Sequence, residues 1–159
     1  MYGLDALNPE NYGYRQLVSD AEERRASQVL FDRALGRARR RRLWARLTGK
    51  RQGMLPLKPQ HSTLHYTGLR LVALDDIQGT ENRADEFDSA FYPLAEHLEA
   101  RWMSVAMAHM KGLSLPPVEL ILVNNTYYVR DGHHRISVAR MMGQREIEAI
   151  VLVLEERAA

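Results

Sequence analysis

Cysteine is absent from this 159-residue chain. That excludes disulfides, thiolate nucleophiles, sulfenate chemistry and cysteine-ligated zinc. No apolar run approaches the length of a membrane-spanning helix, and the opening MYGLDALNPENYGYRQ lacks the apolar core of a signal peptide, so the expected location is the cytoplasm. Internal repeats are missing too. What remains, with 45% hydrophobic residues, suffices for one ordinary core.

Acidic residues are lacking from one stretch. Between Arg37 and Arg51 stand eight basic residues and no acidic one: Arg37, Arg39, Arg40, Arg41, Arg42, Arg46, Lys50 and Arg51. With a net charge of +2 overall, the rest of the chain stands at −6. Attraction for nucleic acid or anionic lipid therefore resides in that segment.

Along the chain, residues 1–18 read as an irregular lead-in broken by Asn8-Pro9 and Gly13. Ser19 to Glu22 has the spacing of a capping box and predicts a helix to about Leu47, with Val29, Leu30, Phe31, Ala34, Leu35 and Ala38 as one apolar side and Leu43, Trp44 and Leu47 as another. Gly49, Gly53, Pro56 and Pro59 read as a linker. His61 and His65 stand four apart without a third ligand, so no metal site is expected. Leu69–Leu74 predicts a strand. A helix from Pro93 to Lys111 follows, then a hairpin of Val118–Val123 and Thr126–Val129 around Asn124-Asn125, a helix ended by Gly143, and an interior strand over Ile147–Leu154. The fold class is mixed α/β (α+β), with a basic helical arm over 1–52, a linker over 53–66 and a small domain over 67–159 with a mixed sheet and packed helices.

The strand-to-helix joint holds Arg130, Asp131, Gly132, His133, His134 and Arg135. A glycine there permits positive φ and close ligand approach, while free amides and cations at a helix start favour an anion. An ordinary joint has the same composition, with Asp131 as cap, Gly132 as turn and the basic residues in solvent. Both readings stand at this point.

In this order, LVALDDI, NRADEFD, PPVELILV and YYVRDGHHRISVAR resemble the ParB/sulfiredoxin superfamily across roughly residues 69–153. In that superfamily the glycine-basic box lies against the phosphates of a nucleotide. The resemblance implies Gly132, His133, His134 and Arg135 as phosphate contacts, Ser137 as a hydroxyl donor and Arg83 as a first-loop arginine facing the cleft. It also implies CTP, ATP or ADP as ligand, with Mg²⁺ as a companion. Sulfiredoxins carry a nucleophilic cysteine after the box glycine, where this chain has His133, so sulfinic acid reduction through that cysteine is excluded.

Two functions follow. The first is nucleotide or phosphate binding, extended to hydrolysis or phosphotransfer if His133 serves as acid or base and Asp131 as the acidic partner; Asp75, Asp76, Glu81 and Asp85 are alternatives for the latter role. The second is a non-catalytic adaptor that binds DNA through the eight basic residues. A membrane surface is not the expected partner, although Leu43, Trp44 and Leu47 beside arginines have the needed amphipathicity. A homodimer or protein partner stays open.

Overall fold

The computed structural model describes residues 9–58 and 62–156, and the side chains of 19–58 and 63–154. Helix α1 spans Pro9–Thr48, 40 residues without a break. It begins ten residues ahead of the expected cap. Pro9 at the first helical position needs no amide partner, and Ser19, deep inside the helix, bonds Glu23 Oε1 at 3.2 Å instead of capping. Residues 1–8 lie outside the described residues.

Ser27, Phe31, Ala34, Leu35 and Ala38 of α1 recur at three- and four-residue steps and are buried. They face α2 (Glu99–Met110), where Phe31 meets Trp102 edge-on with ring centroids 5.7 Å apart. The expected second apolar side is not one. Leu43, Trp44 and Leu47 are 60%, 62% and 77% exposed, because their positions on the helix turn away from the core.

Six strands form one mixed sheet in the order β1-β3-β5-β4-β6-β2. They are β1 (Leu55–Pro56), β2 (Ser62–Ala73), β3 (Ile77–Thr80), β4 (Val118–Val123), β5 (Thr126–Asp131) and β6 (Glu146–Glu156). The hairpin of β4 and β5 turns at Asn124 and Asn125, whose φ values of 46° and 66° suit a two-residue turn. β6 lies between β4 and β2, in the interior position its apolar faces predict. Much of the stretch read as a linker is sheet: β1 pairs with β3, and β2 pairs with β6 from Ser62 onward. His65 belongs to β2, while His61 lies outside the described residues.

The second helix also differs from expectation. Pro93 forms a bridge with Phe87, a 3₁₀ turn covers Glu96–Leu98, and α2 proper starts at Glu99. Asp88 explains the delay. Its Oδ1 accepts the amides of Ala90 and Tyr92, both at 2.9 Å, and its Oδ2 accepts Arg41 Nε at 2.8 Å. These bonds hold Phe91 at φ 62° with its ring in the core, so the chain reaches Pro93 extended. Helix α3 (His133–Met141) then packs against α2 and returns the chain to β6.

Candidate functional site

The end of β5 and the start of α3 meet at Gly132, which has φ 103° and ψ 21°. A Cβ there would stand 2.5 Å from Val118 Cγ1, so both conformation and space demand glycine. Its carbonyl accepts the first helical bond from Ile136, at 3.0 Å. Among the described residues no side chain caps the helix start. Asp131, a candidate cap by sequence, instead accepts Arg135 Nη2 at 2.6 Å. The first-turn amides of α3 are thus left without a side-chain acceptor.

They border a cleft of about 320 Å³, closed on one side by Arg83 of the loop after β3 and on another by Arg101 and Val105 of α2. Asp131, Gly132, His133, His134 and Arg135 supply the rest of its polar lining. Five of the six residues of the RDGHHR box line this cleft together with Arg83. Ser137 does not. It is buried one turn farther along α3, where its hydroxyl accepts Trp102 Nε1 at 2.8 Å.

Arg135 reaches the cleft wall with its donors engaged. Nη1 donates to the carbonyls of Pro116 and Pro117, the latter at 2.8 Å, and Nη2 to Asp131. Its observed work is to brace the strand-helix joint against the segment before β4. Arg101 differs: among the described residues its guanidinium has neither ion pair nor hydrogen bond. Arg83 is shared with Glu86 at 2.7 Å and is 43% exposed.

Both histidines are buried and neutral at pH 7. Burial first, then the Arg83 cation, lowers His133 to about 4; burial, then Arg101 and Arg83, lowers His134 to about 4. Phe87 lies between them, stacked on His133 at 5.9 Å and edge-on to His134 at 5.3 Å. His133 Nε2 is 2.8 Å from Thr80 Oγ1. His134 is 7% exposed, and its Nε2 is buried with no hydrogen-bond partner among the described residues.

Three contributors escaped the sequence reading: Thr80, Phe87 and Arg101. Thr80 sits on the four-residue β3, whose IQGT has no alternating pattern. Phe87 was legible only as part of the Phe-Asp pair. Arg101 had one signal, its place beside Trp102 on the helix that covers the box.

Of the eight basic residues from Arg37 to Arg51, three are engaged on the body. Arg37 lies over the Tyr92 ring, Arg39 pairs with Glu96 at 2.8 Å and Arg41 pairs with Asp88. Arg40, Arg42, Arg46, Lys50 and Arg51 are exposed and have no ion pair among the described residues. A cleft of about 740 Å³ lies between the last turns of α1 and the Ala84–Asp88 loop, away from the Gly132 turn. Among the described residues no helix is long and apolar enough to cross a membrane.

No family model and no curated protein matches the chain. Among solved structures it is similar to the crystal structure of sulfiredoxin from Arabidopsis thaliana, at 20% identity and a TM-score of 0.39, over 54% of this chain and 84% of that one.

Proposed function

We propose that this protein binds a phosphate-bearing ligand, with a nucleotide as the expected class, and seats its phosphate at the start of α3. One observation carries the reading: an uncapped helix start at a required glycine faces an arginine without an ion-pair partner across a cleft. Helix amides and a guanidinium attract the same anion, and each is left wanting in the free protein. In this reading Arg101 and Arg83 neutralise the phosphate, Gly132 lets it approach the backbone, and Arg135 holds the turn in shape. The sequence resemblance of the box to phosphate-contacting boxes points the same way.

The proposal is one of binding. His133 faces Thr80 and is neutral, which fits a positioning role better than proton transfer. No three Asp, Glu or His among the described residues come together as a metal site requires, and Asp131 is the carboxylate of the cleft lining. Mg²⁺ would therefore arrive with the phosphates, Asp131 being the side chain placed to meet it.

The test is calorimetric titration with CTP, ATP, ADP and GTP in the presence of Mg²⁺, for the wild type, Arg101→Gln and Arg83→Gln. Saturable binding that weakens about tenfold in each variant is expected, since a charge-assisted hydrogen bond contributes about that much. Absence of binding to any of the four by the folded protein would refute the proposal.

A further inference from the structure

The last turns of α1 present an apolar patch where a globular protein normally places charge. With about 100° between successive residues, Leu43, Trp44 and Leu47 fall on the side of the helix opposite Phe31, Ala34, Leu35 and Ala38. All three are more than half exposed, and they point directly away from the body. Arg40 lies among them and Arg46 borders them, whereas Arg42, Lys50 and Arg51 line the cleft between α1 and the Ala84–Asp88 loop. None of these five cations is neutralised among the described residues. No acidic residue interrupts the stretch from Arg37 to Arg51, whereas the rest of the chain stands at −6. The molecule is thus strongly polarised, with one basic, apolar-tipped end and an acidic body.

We propose that this end of α1 docks on an anionic bilayer surface, with Leu43, Trp44 and Leu47 entering the headgroup-acyl boundary and Arg40 and Arg46 meeting lipid phosphates. Charge fixes the sign of the partner and the apolar side chains fix its kind. A nucleic-acid backbone would match the arginines but would strip water from Leu43 and Leu47 without offering an apolar phase. A bilayer interface accepts both, since arginine stems lie along the apolar layer while their heads reach phosphates, and tryptophan settles at the boundary. The helix lies on the surface and does not cross it. Because the patch faces away from the core, the body does not obstruct contact, and repulsion of the acidic body from the same surface orients the molecule. This inference is independent of the Gly132 cleft.

The experiment is vesicle flotation of the full chain with phosphatidylcholine alone and with added phosphatidylglycerol, at physiological salt. Wild type is compared with L43S/L47S and with R40Q/R46Q; all four positions are solvent-facing or lie on the rim, and circular dichroism checks that each variant folds. Flotation with the anionic vesicles only is expected, reduced about tenfold or more in both variants. Quenching by brominated lipid should reach Trp44 and spare Trp102, which is fully buried. Failure to float would overturn the proposal. So would flotation unchanged in L43S/L47S, or an unquenched Trp44 together with duplex DNA binding that survives the leucine changes; the last result would assign the surface to nucleic acid.

Discussion

Thr80 Oγ1 and His133 Nε2 stand 2.8 Å apart, and the direction of that bond follows from the other contacts of the hydroxyl. Thr80 Oγ1 accepts the amides of Asn82 at 3.3 Å and Arg83 at 3.1 Å. A hydroxyl has two acceptor positions and one proton, so the proton goes to His133 Nε2 and the imidazole carries its own on Nδ1. One threonine therefore sets the histidine tautomer and the path of the loop that carries Arg83. Thr80→Val keeps the shape and removes all three bonds. A loss of about 1–3 kcal/mol in stability is expected in urea denaturation, along with weaker nucleotide binding, because the Arg83 loop loosens. Thr80→Ser should restore both.

Acid should destabilise this protein through the two cleft histidines. Their folded values of about 4 lie below the ordinary 6.5, so between these limits the unfolded chain binds more protons. Stability is therefore complete above 6.5, falls as pH drops toward 4 and levels off below. Each histidine contributes at most about 3 kcal/mol, and the sum is smaller because the two sites interact. Denaturation at about pH 7 and about pH 4.5 reads the loss, and NMR titration of the imidazole protons reads the values directly. A bound phosphate should raise both values, so that nucleotide binding takes up protons in the acid range.

Gly132→Ala tests the turn itself. The substitution places a methyl group against Val118 in a conformation that L-residues avoid, so backbone or strand must move. A loss of about 2 kcal/mol is expected from thermal or urea unfolding. Nucleotide affinity should fall further than in Arg83→Gln, because the shift displaces the helix amides as a set. Gly143→Ala supplies the comparison: its φ is 76°, with nothing within 4 Å, so it shares the backbone strain without touching the cleft.

Much of this fold was legible where local chemistry and tertiary position agree. The Asn124-Asn125 hairpin, the interior β6 and the Gly132 joint all declare themselves in short stretches. The misreadings fall where packing decides. A capping box at Ser19 is a local signal that carries no weight once a helix has already begun at Pro9. Pro93 reads as a helix start until Asp88 and the inverted Phe91 pull it into a loop. Leu43, Trp44 and Leu47 have the composition of a core stripe, and only their angle relative to Phe31 reveals that they face outward. At the site, sequence locates the box but not its counter-wall. Whether Arg135 or Arg101 has free donors depends on the carbonyls of Pro116 and Pro117, which sequence does not place.

The position of α1 in the core gives the last prediction. Phe31 is 1% exposed and meets Trp102, whose indole in turn donates to Ser137 of α3, so the helix is connected to the helix that forms the site. Phe31→Ala leaves a cavity beside Trp102 and should cost about 3–5 kcal/mol, a large fraction of the stability of a single domain. Deleting residues 1–52 removes Phe31, Ala34, Leu35 and Ala38 together and uncovers the same face of α2. The truncated chain should therefore fail to fold, seen as loss of dispersed NMR signals and exposure of Trp102 fluorescence to aqueous quenchers. A folded truncation that still binds nucleotide would show instead that α1 is a detachable arm, and that the sheet with α2 and α3 suffices to hold the Gly132 turn.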